Sequence, residues 1–160
     1  MKRDLYAAAT EIHRLKAAGG VDTTKAADAS TVITEYVAIE PDPEKKLAAQ
    51  VALADIFEKT GDFTNAVASY RKVLETKPEH PDAMVNLGLS LYMEAVAATP
   101  EDKDKEQEAL NYLQRYTEVA PITEKDPPSV VAFKKNVKDT VDYLKAQKLT
   151  PQKLPAKKRQ

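Results

Sequence analysis

The spacing of two similar apolar segments constrains the fold of this chain more than any other feature. "LADIF" at residues 53–57 and "LGLSLY" at residues 87–92 begin 34 residues apart. Each segment belongs to a stretch in which apolar residues recur three or four positions apart, as in an amphipathic helix. A repeat of this length indicates stacked helix pairs that bury their apolar sides against their neighbours. The scarcity of Gly, with 4 in 160 residues, also favours helix.

The same apolar spacing predicts seven helices, separated by Gly and Pro residues. The predicted bounds are 4–18, from Asp22 or Thr23 to before Pro41, 44–59, 63–76, 82–98, from Pro100 to about 120, and about 126–147. For the sixth helix, Thr99 is predicted to be the capping residue and Pro100 to occupy the first helical position.

Residues 47–80 carry a recognisable order of small and large apolar positions. The first helix has Leu53, Ala54 and Phe57, and the second has Ala66, Tyr70 and Val73, before Pro78. Together with "TGDFTNAVASYRKVLETKP" at 60–78, this pattern resembles the tetratricopeptide repeat. Residues 81–123 resemble it through Met84, Leu87, Gly88 and Leu91, then Ala109, Leu113, Tyr116 and Pro121. Residues 4–46 resemble it through Leu5, Ala8, Ala9 and Ile12, then Ala29, Ile33, Tyr36 and Pro41.

The resemblance implies an all-α, right-handed α-α solenoid. Three helix pairs, at about 4–46, 47–80 and 81–123, and a capping helix at about 126–147 make up a domain over residues 1–147. The third pair departs from the pattern, because nine surplus residues lie between Gly88 and Ala109. We expect each arm of this hairpin to be about one turn longer. Residues 148–160 are predicted to be a basic, disordered tail that buries nothing.

The resemblance also implies a binding surface, because in this family the first helices of the pairs line a concave groove. The second and third pairs contribute to this groove Val51, Asp55, Glu58, Lys59, Asp82, Val85, Asn86, Leu89, Tyr92 and Met93. The first pair would add Arg3, Tyr6, Thr10, His13 and Arg14. Such a mixture suits a peptide or a partner helix. The alternative is that Leu89 and Met93 only pack on the final helix.

The tripeptide His80-Pro81-Asp82 suggests a different function, because J-domain co-chaperones use His-Pro-Asp to activate a partner ATPase. A J-domain would need a helix running close to the His, and Pro78 blocks that helix. We therefore interpret the tripeptide as the junction between two repeats.

Several classes of chemistry find no support in the sequence. The chain has no Cys and only two His, which argues against thiolate chemistry and metal sites. A phosphate-binding Gly-rich loop is missing, and so is a Ser-His-Asp arrangement. The clamp for carboxylate ends of chaperones is not expected either, because its Lys and Asn positions do not match. We expect no catalytic residues, no metal and no cofactor, and therefore no enzyme.

Charge is unevenly distributed along the chain. Residues 145–160 hold six Lys or Arg and no acid, so the other 144 residues hold 18 basic and 25 acidic side chains, a balance of −7. The tail lacks the aromatic residues that stack on bases, so nucleic acid is not an expected partner. We interpret the tail as a flexible, solubilising end.

The sequence thus predicts a non-catalytic adaptor or assembly scaffold that binds another protein. Two alternatives stay open. The chain is either a self-associating structural subunit, which would form a homo-oligomer, or a domain of an exported or envelope-associated bacterial factor. No apolar run is long enough to span a bilayer, and Met1-Lys2-Arg3 is not followed by the apolar segment of a signal peptide. The cytoplasm is favoured over the periplasm or export.

Overall fold

A computed structural model describes residues 23–154 of the chain, with side chains from residue 28 onward. The helices are α1 (Thr23–Ile39), α2 (Pro43–Lys59), α3 (Phe63–Thr76), α4 (Pro81–Ala97), α5 (Lys103–Val119) and α6 (Pro128–Ala146). The described part of the chain contains no strand, so the predicted all-α class is confirmed. The predicted helix 4–18 lies outside the described residues. No described helix has the length and apolar character needed to cross a membrane.

The chain divides into two compact units, unit 1 (residues 1–76) and unit 2 (residues 77–160). In unit 1, the core forms where α1 packs on α2, around the buried residues Ile33, Tyr36, Ala49, Ala52 and Ile56. Asp42 begins α2 as a capping residue, because its Oδ1 accepts from the Glu44 N–H at 3.0 Å. α2 packs on α3 across a short turn.

In unit 2, α5 lies between α4 and α6 and contacts both. The pair α4–α5 approaches most closely at Gly88: a Cβ atom added there would lie 2.7 Å from Cγ and Cδ2 of Leu113. The repeat pattern has a small residue at this position, and the close approach of Leu113 explains why the residue here is glycine.

The hairpin of α4 and α5 is longer than that of α2 and α3, as the sequence predicts. α4 continues six residues beyond Leu91, whereas α2 continues two residues beyond the equivalent Phe57. Similarly, α5 begins six residues before Ala109, and α3 begins three before the equivalent Ala66. Each arm therefore extends about one turn further towards the connection. Only α5 is longer than its counterpart, with 17 residues against 14 in α3, because α4 begins later in the repeat and has the same 17 residues as α2.

The predicted start of α5 is wrong. Asp102, not Thr99, is the capping residue: its Oδ1 accepts from the Lys105 N–H at 3.1 Å, and α5 begins at Lys103. The physical reason lies in the connection from α4, because the Asp102 N–H donates to the carbonyl of Ala95 at 3.3 Å. This bond folds residues 98–102 back onto the end of α4, so Pro100 precedes the helix.

The segment after α6 differs from the predicted tail without contacts. Over its described residues, 148–154, it hydrogen-bonds to α5 through Thr150 and Gln152. Leu149, Pro151 and Leu154 are only partly exposed. Residues 155–160, which carry three of the five Lys and Arg residues of the predicted tail, lie outside the described part.

Candidate protein-binding surface

One side of α4 carries an unusual group of apolar side chains. Leu89, Tyr92, Met93 and Val96 follow the spacing i, i+3, i+4 and i+7, which places them on the same side of a helix. Met93 is 45% exposed and Val96 is 46% exposed, while Leu89 and Tyr92 are half-buried. Exposed apolar side chains grouped in this way are typical of surfaces that contact other proteins.

A residue of α6 extends this group. Tyr143 meets the ring of Tyr92 edge to face, with 6.4 Å between ring centroids and 70° between ring planes, and is itself 49% exposed. We call the five residues Leu89, Tyr92, Met93, Val96 and Tyr143 the α4 strip. The final helix thus reaches the strip through one aromatic contact, and Met93 keeps about half of its surface exposed.

The strip carries two tyrosine hydroxyls but no charge of its own. Burial raises the pKa of Tyr92, and the neighbouring groups Tyr143, Glu106 and Glu101 raise it further. The phenol of Tyr92 therefore stays protonated across the physiological pH range.

An ion-pair network lies near the same end of the hairpin. The Lys103 Nζ lies 2.7 Å from Glu101 Oε2 and 2.8 Å from Glu106 Oε2. Glu106 is only 1% exposed, and Lys103 is therefore the group that compensates its buried carboxylate. Hydrogen bonds from Lys103 lower the pKa of Glu101, and the two carboxylates raise that of Lys103. These charges are paired with one another before any partner arrives.

The other residues predicted on α4 have mixed environments. Asp82 is exposed in the first turn, and Asn86 is half-buried. Val85 differs from the expectation for a groove residue, because its side chain is 2% exposed. A valine this deeply buried contributes to packing and cannot contact a partner without rearrangement.

In unit 1, the residues predicted to contact a partner share one side of α2 but are engaged in different ways. Val51 is half-buried and Lys59 is exposed. The hydroxyl of Tyr70 lies 2.6 Å from Asp55 Oδ1 and 3.1 Å from Glu58 Oε2. Since Tyr70 is fully buried, the two carboxylates satisfy a polar group of the core as well as facing solvent.

The sequence of residues 47–80, which form α3 and most of α2, matches a family model described as tetratricopeptide repeat. Residues 47–80 therefore form a tetratricopeptide repeat. No curated protein and no solved structure matches it. Tetratricopeptide repeats generally mediate protein–protein interaction and are typically non-catalytic.

The repeat also accounts for the His-Pro-Asp tripeptide. His80 is the capping residue of α4, and its Nδ1 accepts from the Ala83 N–H at 3.3 Å. Pro81 occupies the first helical position, where a missing N–H costs no hydrogen bond. In this repeat protein the tripeptide thus begins a helix.

A cleft of about 320 Å³ lies between α5 and α6 of unit 2. Three lysines line it, and two of them form ion pairs: Lys134 lies 2.8 Å from Asp126 and Lys138 lies 2.6 Å from Asp142. Most of the positive charge at the cleft is therefore already compensated, which makes it a poor anion site. Within the part of the chain that the structure describes, no cluster of His, Asp and Glu is arranged to hold a metal ion.

Two residues of the α4 strip are missing from the predicted site. Val96 continues the three-and-four spacing of Leu89, Tyr92 and Met93, so the sequence does contain a hint of it. Tyr143 stands next to Leu144 in the apolar stripe of α6, and nothing in the sequence indicates that it meets α4.

Proposed function

We propose that this repeat protein is a non-catalytic adaptor or assembly scaffold that binds a peptide or a helix of another protein through the α4 strip. The observation that carries the proposal is the pair of half-exposed apolar side chains, Met93 and Val96, on the same side of α4 as Tyr92. Tyr and Met are enriched at the centres of protein interfaces, where burial of apolar area supplies most of the binding free energy.

The partner is expected to present apolar side chains at helical or extended spacing. The ion pairs of Lys103 are satisfied internally, so the partner does not have to neutralise a buried charge. The acidic balance of −7 over residues 1–144 favours a partner with a basic border, because complementary charge accelerates association.

A matched pair of variants tests the proposal. Met93→Arg places a charge in the strip, and Ile122→Arg does the same on the α5–α6 connection, where Ile122 is also 45% exposed. The wild-type chain and both variants are immobilised, exposed to lysate of the source organism, and the captured proteins are identified by mass spectrometry. A captured partner is then titrated against all three chains.

We expect Met93→Arg to weaken the captured partner at least about 30-fold, because a charge at an interface centre costs about 2 kcal/mol or more. Ile122→Arg is expected to bind as the wild type does. A partner that binds Met93→Arg normally would exclude the α4 strip as its contact.

Self-association is the second candidate, since an exposed apolar strip can also pair with a second copy of itself. Light scattering separates the two. A wild-type dimer that becomes a monomer with Met93→Arg, but not with Ile122→Arg, would assign the strip to a homo-oligomer interface.

A further inference from the structure

The chain turns back on itself at the end of α6. Lys148 has a φ of 66°, which lies in the left-handed region that residues other than Gly seldom adopt. Its N–H donates to the carbonyl of Lys145 at 3.0 Å, and the N–H of Gln147 donates to that of Leu144 at 3.1 Å. This turn reverses the direction of the chain, so the segment that follows runs along α5.

Two amide side chains of α5 hold the main chain of this segment. The Gln107 Nε2 donates to the Thr150 carbonyl at 2.8 Å, and the Gln152 N–H donates to Asn111 Oδ1 at 2.7 Å. Gln107 also donates to Asn111 Oδ1 at 3.0 Å, which orients the two amides relative to each other. They lie one turn apart on the helix, so their side chains are neighbours.

These contacts recognise a backbone conformation and leave the side chains out. Residues 150 and 152 are two apart, and in an extended chain the polar groups of such residues point in the same direction. The side chains of Thr150 and Gln152 are exposed, whereas Leu149 and Pro151 are partly covered. Pro151 fixes its own φ near the extended range, which reduces the conformational freedom lost when the segment docks.

We propose that Gln107 and Asn111 form a second peptide-binding site, which takes the main chain of an extended, proline-containing segment. Residues 149–154 occupy this site in cis and act as a strap. A partner segment of the same chemistry binds by displacing the strap. The site is built on α5 and is independent of the α4 strip.

The tether determines how strong the competition is. Only three residues separate the end of α6 at Ala146 from Thr150, so the strap is present at an effective concentration in the millimolar range. A contact that is weak between separate molecules is therefore occupied within one chain. An external peptide has to compete with this local concentration.

Variants of the full chain separate the strap from its site. Gln152→Pro removes the N–H that Asn111 accepts and leaves the amide pair on α5 intact. Lys153→Pro is the matched control, because it adds the same ring one residue further on, at a described N–H that makes no contact with α5. Asn111→Leu removes the acceptor, whereas Asn111→Asp keeps an acceptor oxygen.

The probe is a synthetic peptide with the sequence of residues 148–157, KLTPQKLPAK, titrated against isotope-labelled chains and followed by NMR. We expect the Gln152→Pro chain to bind the peptide at least about tenfold more tightly than the wild type or Lys153→Pro, because its cis competitor is weakened. Adding Asn111→Leu to Gln152→Pro should abolish binding, and adding Asn111→Asp should preserve it. Unchanged resonances of α4, in the same unit but outside the site, show that each variant is folded.

Equal binding by the wild type and Gln152→Pro would overturn the proposal, because the strap would then not compete. So would the absence of shifts in the Gln152→Pro chain up to about 5 mM peptide, which exceeds the millimolar effective concentration of a short tether. Met93→Arg is expected to leave peptide binding unchanged. The proposed adaptor function and this second site can therefore fail separately.

Discussion

The helix pairs α2–α3 and α4–α5 follow the same repeat pattern but are closed in different ways. A three-residue turn containing Gly61, with a φ of +78°, joins α2 to α3. Five residues join α4 to α5, and the ion pairs of Lys103 lie at the start of the second helix. Residues at equivalent positions of the two pairs also contact different side chains. The repeat pattern thus determines where side chains are buried, and local contacts determine what each buried group requires.

The largest difference is expected at the small position shared by Ala54 and Gly88. Gly88→Val should destabilise the chain by about 3 kcal/mol, because Leu113 is fully buried and has no free space to enter. Ala54→Gly should cost only about 1 kcal/mol, mainly through backbone entropy. Urea unfolding followed by circular dichroism measures both free energies.

A second substitution tests the cause of the Gly88→Val effect. Leu113→Ala alone should be destabilising, by about 3 kcal/mol, because it opens a cavity. In the Gly88→Val background it should be markedly less harmful, with a coupling of about 1 kcal/mol or more. Strict additivity of the two changes would show that the clash with Leu113 is not responsible.

The next difference concerns the equivalent tyrosines Tyr70 and Tyr116. Tyr70→Phe should cost about 1.5 kcal/mol, because it removes a hydroxyl bonded to the carboxylates of Asp55 and Glu58. Tyr116→Phe should be nearly neutral, since within the described residues the Tyr116 hydroxyl has no hydrogen-bond partner. Thermal unfolding of the two variants under identical conditions makes the comparison. Equal losses of stability would contradict it.

A smaller effect is expected at the turns. Gly61→Ala should destabilise the chain by about 1 kcal/mol, because the left-handed φ is unfavourable for a residue with a Cβ atom even though the space around Gly61 is open. Gly61→Asn, which tolerates this conformation better, should lose less. If alanine and asparagine have the same stability as glycine, the φ of the turn must differ from the one described.

The smallest expected effect separates two loop carboxylates by their response to salt. Hydrogen bonds from Lys134 lower the pKa of Asp126, and a hydrogen bond from Tyr36 lowers that of Glu40. A lowered carboxyl pKa contributes stability above its ordinary value, which is about 4, and this is lost as the pH falls through the value in the fold. NMR titration should show that 1 M NaCl raises the pKa of Asp126 more than that of Glu40. The main cause at Asp126 is a hydrogen bond from the Lys134 ammonium, whereas Lys45 is only a minor cause at Glu40. Equal shifts would assign the Asp126 effect to its bond from the Thr123 N–H at 2.9 Å.

Much of the fold is predictable because the bounds of a helix depend largely on residues that are close in sequence. The predicted bounds of α3 are the observed ones, since Gly61 precedes the helix and Pro78 follows it. The start of α5 could not be predicted from the same kind of pattern. Thr99-Pro100 is a typical helix start by composition. The helix nevertheless begins after Asp102, because the Asp102 N–H donates a hydrogen bond to the Ala95 carbonyl. That bond joins two segments whose relative position the local sequence does not encode.

The packing of α2 shows the same limit. The repeat pattern predicts Leu53, Ala54 and Phe57 as packing positions of α2. Ala54 is fully buried, whereas Leu53 and Phe57 are only partly buried. Instead, Ala49 and Ala52 pack closely on α1, because a small side chain lets two helices approach. For the candidate site, exposure of Met93 follows from its position in the repeat, whereas burial of Val85 and the arrival of Tyr143 depend on contacts with other helices.

The α4–α5 hairpin has a part that the repeat pattern requires and an extension at its connection that the pattern does not require. Val96 lies within the four residues, 94–97, by which α4 extends past the repeat position where α2 ends, although both helices have 17 residues. Lys103 lies within the matching extension of α5. The buried residues at Gly88 and Leu113 come from the part that every repeat must have. Under the proposed function, a change in the length of this hairpin would alter the surface offered to a partner while the packing at Gly88 and Leu113 is kept.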